Sequence, residues 1–471
     1  MKKLRFALLV LIVFVSANFA QNAKISSKIN KILKSEILKD AFIGIDIFNL
    51  TKNKPIFSFN NQKLFVPASN QKIITSATAI NFLPQNYEFS TKFRTNGAIV
   101  DSVVIGDLII KSDGNPNFGN EEFQSVAENL KKMGIRKIKG NLVADISWND
   151  SVYWGKGWMW DDNPSEYLPY FSSLNSYFGK MKVVVQSGSF GEKVQVTSEP
   201  KFESLLIQNN ATISISDTNT LFVTRVFEGN RNKIIISGKI PQNSVDDFEF
   251  NIENPEQIFL EILKEKLNSN SIKIEKELKI EKNVPFIADL FEIKTPIEFI
   301  LNRLNKKSDN LFAEILLREI GVYHFSEPAR FWKSQILIDS LITLSGNKPE
   351  NFTIADGSGL SRYNLISPKL ITDIFKYFYK NDREKFNSLI NSFAVSGKIG
   401  TLKNRLNSKK NIGKVKGKTG SLTSVNSLSG ILTNSYGDEI AFSIIVNNYS
   451  GKDSDIRKLQ DSICKILIKG K

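Results

Sequence analysis

The chain has 471 residues, with 63 Lys and Arg against 48 Asp and Glu, for a formal charge of +15. Its only cysteine, Cys464, rules out an intramolecular disulfide, and with His324 as the only histidine there is no Cys/His cluster for a metal site of the usual kind. No nucleic-acid motif and no Gly-x-Ser-x-Gly elbow is present, so a Ser-His-Asp hydrolase would rest on His324 alone, and that residue is read as structural.

Residues 1–20 have the three parts of a secretory signal. Lys2, Lys3 and Arg5 form a basic start, Phe6 to Val15 an apolar run, and a small-residue stretch ends near Ala17 or Ala20. The run is shorter than the roughly 20 residues a spanning helix needs, so cleavage is expected and the mature protein is placed in the periplasm. Losing the signal's cations leaves a charge of about +12. That charge reads either as attraction to anionic cell-envelope surfaces or as lysine-rich, solvated faces.

The rest of the chain is too long for one core, and two or three domains are expected. Ala23 to Ile37 carries Ile25, Ile29, Ile32, Leu33 and Ile37 on one helical stripe. Phe42 to Phe48 predicts a strand, with Ile56 to Phe59 as its partner. Ser69 to Leu83 predicts a helix ended by Pro84. From about Thr91 to Ile280, short β-rich runs such as Lys182–Gln186, Thr212–Ile215 and Lys233–Ser237 alternate with Asn, Ser and Gly turns. Helices follow over Glu256–Leu267 and Ile297–Leu304. Near the end, Ile440, Phe442, Ile444 and Val446 alternate as in a strand, and Ile456, Leu459, Ile463 and Ile466 stripe a closing helix. The organisation expected is an α/β (α+β) helix-and-sheet domain over 21–90 and 285–471. A β-rich insertion over 91–284, read as two subdomains, splits it.

Three short motifs carry chemistry. In Pro67-Ala68-Ser69-Asn70-Gln71-Lys72, Ser69 and Lys72 lie three apart at the start of an apolar helix, which puts both side chains on one face. A serine needs a base to attack a carbonyl, and a neutral lysine can serve when burial and a second cation depress its pKa. The helix N-terminus adds free backbone amides for an oxyanion. Ser198/Lys201, Ser345/Lys348 and Ser462/Lys465 share the spacing, but Ser69 alone opens a buried-looking helix. Ser308-Asp309-Asn310 offers a proton relay and an amide-binding side chain, or simply a helix N-cap. Lys418-Thr419-Gly420-Ser421 offers a cation and hydroxyls for a carboxylate, with a glycine that admits substrate backbone, or a hairpin turn.

The order of the three motifs resembles the signature set of the penicillin-recognising serine enzymes. The gap between Ser69 and Ser308 is far longer than in small β-lactamases. With Gly157-Trp158 and Trp160-Asp161-Asp162 inside it, the chain resembles the class C low-molecular-mass penicillin-binding proteins, the D-alanyl-D-alanine carboxypeptidase/endopeptidase family. Asp356-Gly357-Ser358-Gly359-Leu360-Ser361-Arg362 and Gly400-Thr401-Leu402 are similar to further signatures of that family.

The resemblance implies a penicillin-binding, serine β-lactamase-like catalytic domain. It implies Ser69 as the acylated nucleophile, Lys72 as its base, Ser308 as proton relay and Asn310 as amide binder. Lys418 and Thr419 would hold the substrate carboxylate, and backbone amides of Ser69 and Ser421, beside Gly420, would form the oxyanion hole. Asp162 is the candidate for a substrate amine, unless it and Asp161 merely cap a turn, and Arg362 for steering carboxylates. Trp148, Trp154, Trp158 and Trp160 form either a lip for peptide or sugar or the core of a small domain. One departure is Lys398, near a glycine where the family usually carries an acidic residue; it is read as drift in a structural turn.

The function expected is removal of a terminal D-alanine, cleavage of D-alanyl cross-links, or both. Peptidoglycan stem peptides and β-lactams would be the partners, with no metal or organic cofactor. The alternatives are a β-lactamase or esterase on the same scaffold, or a catalytically silent wall-binding protein.

Overall fold

The computed structural model describes residues 22–470, so the signal read over residues 1–20 lies outside the described residues. The chain divides into two compact units.

The first unit contains the described residues up to Pro84, Leu301–Asp309, and the chain from Gln335 onward. At its centre is a six-stranded antiparallel sheet. The strand order is Lys54–Phe59, Phe42–Asn49, Glu439–Asn447, Val425–Thr433, Val415–Leu422 and Ala394–Val395. The chain's two ends therefore meet in adjacent strands, with Ile43 opposite Val446 and Ile47 opposite Phe442.

Alternating residues at the end of the chain predict a strand with one apolar face, but Ile440 to Asn447 is buried on both faces. On one face Ile440, Phe442, Ile444 and Val446 pack with Ile25 and Ile29 of the 22–33 helix and with Ile456 and Ile463 of the closing helix Asp453–Lys469. Fully burying each such side chain stabilises by about 1.5–3 kcal/mol. The opposite face places Ser443 between Ala441 and Ile445, and its hydroxyl is paired: Asn70 Nδ2 donates to Ser429 Oγ (2.8 Å), which hydrogen-bonds Ser443 Oγ (2.8 Å). Hydrogen bonds between such hydroxyls offset the cost of taking them out of water.

The second unit contains Gln85–Ile300 and Asn310–Ser334. Glu88–Thr95, the first strand of this unit, pairs antiparallel with Ala288–Pro296, the last, from Thr95 opposite Ala288 to Glu88 opposite Pro296. The chain's entry and exit are thus zipped together, which moves the division from residues 91 and 284 out to 85 and 300. One hydrophobic cluster joins Phe93, Phe123 and Leu142 to Met181, Val183 and Ile234. The β-rich stretch read as two subdomains is accordingly one unit with a contiguous core.

The helix Asn310–Phe325 belongs to this second unit, which the sequence reading did not foresee. It is buried on nearly every side from Asn310 to Gly321. Phe312 lies 5.9 Å from the Phe178 ring and 6.3 Å from Phe299. Glu319 accepts hydrogen bonds from Tyr87 Oη (2.6 Å) and Trp148 Nε1 (2.7 Å).

Candidate active site

Pro67 and Ala68 lead into a single 3-10 turn, Ala68–Asn70, that runs directly into the helix Gln71–Phe82. Lys72 is fully buried, and its Nζ donates to Ser69 Oγ (3.0 Å) and to the carbonyl of Ser358 (2.6 Å). A buried ammonium is costly, and acceptors at hydrogen-bond distance are what make it tolerable. Here one of those acceptors is the hydroxyl that a base would deprotonate.

The strand Val415–Leu422 runs past this helix start. Lys418 is fully buried and donates to Ser308 Oγ (2.8 Å) and to the Thr419 carbonyl (2.8 Å). Its burial, reinforced by the positive charge of Lys72, holds Lys418 well below the ordinary lysine range. Thr419 Oγ1 is 2.8 Å from Thr401 Oγ1, so the Gly400–Leu402 turn backs the strand. At Gly420 the approach leaves no room for a side chain. A Cβ there would lie 2.3 Å from Ser427 Oγ and 2.9 Å from the Ser69 nitrogen. That contact brings the strand edge beside the serine's amide, and it explains the glycine by proximity rather than by a turn.

Ser308 has left-handed backbone dihedrals (φ 61°, ψ 34°) at the end of the π-helical turn Arg303–Lys307. Its hydroxyl meets Lys418 instead of capping the next helix. Asn310, in the second unit, donates through Nδ2 to the Tyr167 carbonyl (2.6 Å).

The Asp356–Arg362 loop contributes a part that motif reading left without a role. Asp356, buried at 1% exposure, accepts from the amides of Gly359 (2.8 Å) and Ser361 (2.7 Å) and from Asn364 Nδ2 (2.7 Å). This wraps the loop tightly enough that the Gly357 carbonyl meets Thr75 Oγ1 (2.7 Å) and the Ser358 carbonyl meets Lys72. Gly359 has φ +85°, and a Cβ there would lie 1.9 Å from the Ala68 carbonyl oxygen. The available signal was the dense Asp-Gly-Ser-Gly run, which marks a turn but not what the turn touches. Arg362 is exposed and donates to the Thr423 carbonyl (2.9 Å), at the tip of the hairpin that carries Lys418.

Asp161 and Asp162 are both exposed in the 3-10 turn Trp160–Asp162, whose N-cap position is Met159. The tryptophans divide between the two readings. Trp148 is fully buried and Trp158 nearly so, whereas Trp160 is 87% exposed. His324 is exposed at the C-terminal end of Asn310–Phe325, against the Tyr323 ring. Cys464 is buried, which pushes its thiol up to about 12 and leaves it unreactive.

The family model for D-Ala-D-Ala carboxypeptidase 3 (S13) matches residues 25–468. D-alanyl-D-alanine carboxypeptidase DacB of Haemophilus influenzae is 28% identical over 432 residues, 89% of this chain and 88% of that protein. The D-alanyl-D-alanine carboxypeptidase of Actinomadura sp. is 26% identical over 455 residues, 92% of this chain and 83% of that protein. The crystal structure of penicillin binding protein 4 from Haemophilus influenzae superposes with a TM-score of 0.82 at 26% identity, covering 94% of this chain and 99% of that one. The α/β architecture is therefore that of the penicillin-binding serine enzymes.

Proposed function

Since the chain belongs to the D-Ala-D-Ala carboxypeptidase 3 (S13) family, we propose that it trims or cleaves peptidoglycan stem peptides through an acyl-enzyme on Ser69. It is a serine-type carboxypeptidase of the class C low-molecular-mass penicillin-binding group. The observation that carries the mechanism is the 3.0 Å contact of a fully buried Lys72 Nζ with Ser69 Oγ.

In this reading Lys72 takes the Ser69 proton as Oγ attacks the carbonyl of the penultimate D-alanine. The charge that develops on the carbonyl oxygen is met by the backbone amides of Ser69 and Ser421. Lys418 and Thr419 hold the terminal carboxylate, and Asn310 binds a substrate amide. Ser308, hydrogen-bonded to Lys418, relays a proton to the departing D-alanine amine. Water then hydrolyses the ester with Lys72 as base again, restoring Ser69. A β-lactam enters by the same attack and leaves a stable ester. An exported, periplasmic location and attraction of the basic protein to anionic envelope surfaces belong to the same reading.

Incubation of the protein with defined muropeptides tests the substrate class. Mass spectrometry should show loss of a terminal D-alanine, scission of D-alanyl cross-links, or both. Muropeptides left intact by a preparation that still binds penicillin would overturn it.

Asp162 is proposed to pair with the free amine that a diamino acid carries at the third position of an uncross-linked stem peptide, and Arg362 to steer carboxylates. Asp162→Asn is expected to lower kcat/KM for amine-bearing peptides by about 10-fold, about 1.4 kcal/mol. Penicillin lacks that amine, so its acylation of Ser69 should keep nearly the original rate. Equal losses for both ligands would mark Asp162 as structural.

A further inference from the structure

From Lys385 to Gly437 the chain contains no Asp or Glu. Five lysines of this stretch, Lys398, Lys403, Lys409, Lys410 and Lys414, are exposed. Other cations nearby are already engaged. Arg405 pairs with Asp461 (2.8 Å), Lys416 donates to Asn391 (2.7 Å), and Lys418 is buried in the site. Among the described residues, no carboxylate forms an ion pair with any of the five exposed lysines, although shorter lysine–carboxylate pairs occur elsewhere on the surface.

The fold gathers these lysines into one lobe. The Ser396 carbonyl accepts from the Gly413 amide (2.9 Å), and Ser396 Oγ donates to the Asn411 carbonyl (2.9 Å), so residues 396–399 run beside 411–414. Both glycines of this junction are left-handed: Gly397 has φ +65° and Gly413 φ +74°. The Lys398 side chain lies over Gly413, its Nζ 3.3 Å from where a Cβ would be. Lys409 and Lys410 sit in the turn closed by the Asn411 amide and the Ser408 carbonyl (2.7 Å).

Two apolar side chains stand among these cations. Ile399 is 47% exposed and Ile412 is 40% exposed, and Ile412 packs against Gly397 at the same junction. A surface built only to hold a soluble polyanion gains nothing from exposed isoleucines. Cations that surround a small apolar tip fit a bilayer surface, where the ammonium groups meet lipid phosphates and the tip enters the acyl boundary.

We propose that the lobe of residues 396–414 is a docking surface for an anionic phospholipid bilayer. Contact would be peripheral, since no helix among the described residues is long and apolar enough to cross a membrane. Thr401, at the inner end of the lobe, hydrogen-bonds Thr419, so docking there would hold the edge strand of the site close to the lipid. The inference rests on the envelope reading given above and is independent of the acyl-enzyme, which penicillin labelling reports separately.

The test is cosedimentation of the protein, lacking its first twenty residues, with vesicles of phosphatidylcholine alone or mixed equally with phosphatidylglycerol. Binding is expected only to the mixed vesicles and should fall steeply with salt. Replacing Lys398, Lys409, Lys410 and Lys414 together by Gln should weaken it by about 500-fold, since each lysine near such a surface contributes about fivefold. Ile399→Ser with Ile412→Ser should weaken it by roughly 10-fold with the lysines intact. Both variants should acylate with penicillin at the wild-type rate, which shows that they are folded. Wild-type protein that ignores the mixed vesicles at low salt, or a lysine variant that binds them unchanged, overturns the proposal. Isoleucine variants with undiminished vesicle binding, together with equal affinity for a soluble anionic wall polymer, would assign the lobe to that polymer instead.

Discussion

Ser69→Ala should abolish covalent labelling by penicillin and lower peptide hydrolysis on the order of 10⁴-fold or more, as loss of a nucleophile does in other serine hydrolases. In wild-type protein, intact-mass analysis should show one penicilloyl addition per chain, mapped by digestion to the peptide that contains Ser69. The variant isolates chemistry from folding because the serine contributes little to the fold. Ser69 is only partly buried, and the bond from Lys72 Nζ is the one hydrogen bond among the described residues that Oγ would give up. A hydrogen bond of that kind contributes about 1 kcal/mol net. Lys72 keeps the Ser358 carbonyl at 2.6 Å, so the buried ammonium is not left without an acceptor. The thermal midpoint should therefore move little while labelling disappears. Stoichiometric labelling that survives in Ser69→Ala would remove Ser69 from the mechanism.

The local parts of this site were legible in the sequence because they follow from helix and strand periodicity. Three residues along a helix start put Ser69 and Lys72 on one face, and the structure holds them at 3.0 Å. Side chains alternate along a strand, which turns Lys418 inward while Thr419 stays partly exposed beside Thr401. Two other features were illegible because each depends on residues far apart in the chain. The Ser358 carbonyl reaches Lys72 only because Asp356 folds its loop back on itself, and no spacing in the sequence connects that loop to the helix. In the sequence Leu311, Phe312, Ile315, Leu316 and Ile320 stripe one side of the helix Asn310–Phe325, yet it is buried nearly all round in the second unit. Its polar positions mislead for a physical reason. Glu314 and Arg318 pair at 2.9 Å inside the protein, and Glu319 is satisfied by Tyr87 and Trp148. Charged residues placed one turn apart look like a solvated face until their partners are known.

Replacing Lys72 should cost less than losing the nucleophile but slow the same step. Lys72→Ala is expected to slow acylation by both penicillin and peptide by about 10²–10⁴-fold, the range for a lost general base. The pH dependence of the wild type distinguishes a neutral base from a charged anchor. Lys72 and Lys418 are both fully buried, and the positive charge of Lys72 adds to the burial that holds Lys418 well below the ordinary lysine range. A base must be neutral to take the Ser69 proton, so acylation should rise with pH and fall as acid protonates the base. Stability should move in the same direction. Lys418 is held well below its ordinary range when folded, so between that depressed value and the unfolded lysine value near about 10.4 the unfolded chain binds more protons. Stability therefore rises with pH across that window, and the penalty is fully present below it. Lys72→Ala removes one of the two cations, so the protonation of Lys418 becomes easier and this window should narrow from its lower end. Stopped-flow acylation and thermal melts over the same pH series measure both effects. A variant that keeps most of its acylation rate, or a wild-type rate that increases toward acid, would show that a group other than Lys72 deprotonates Ser69.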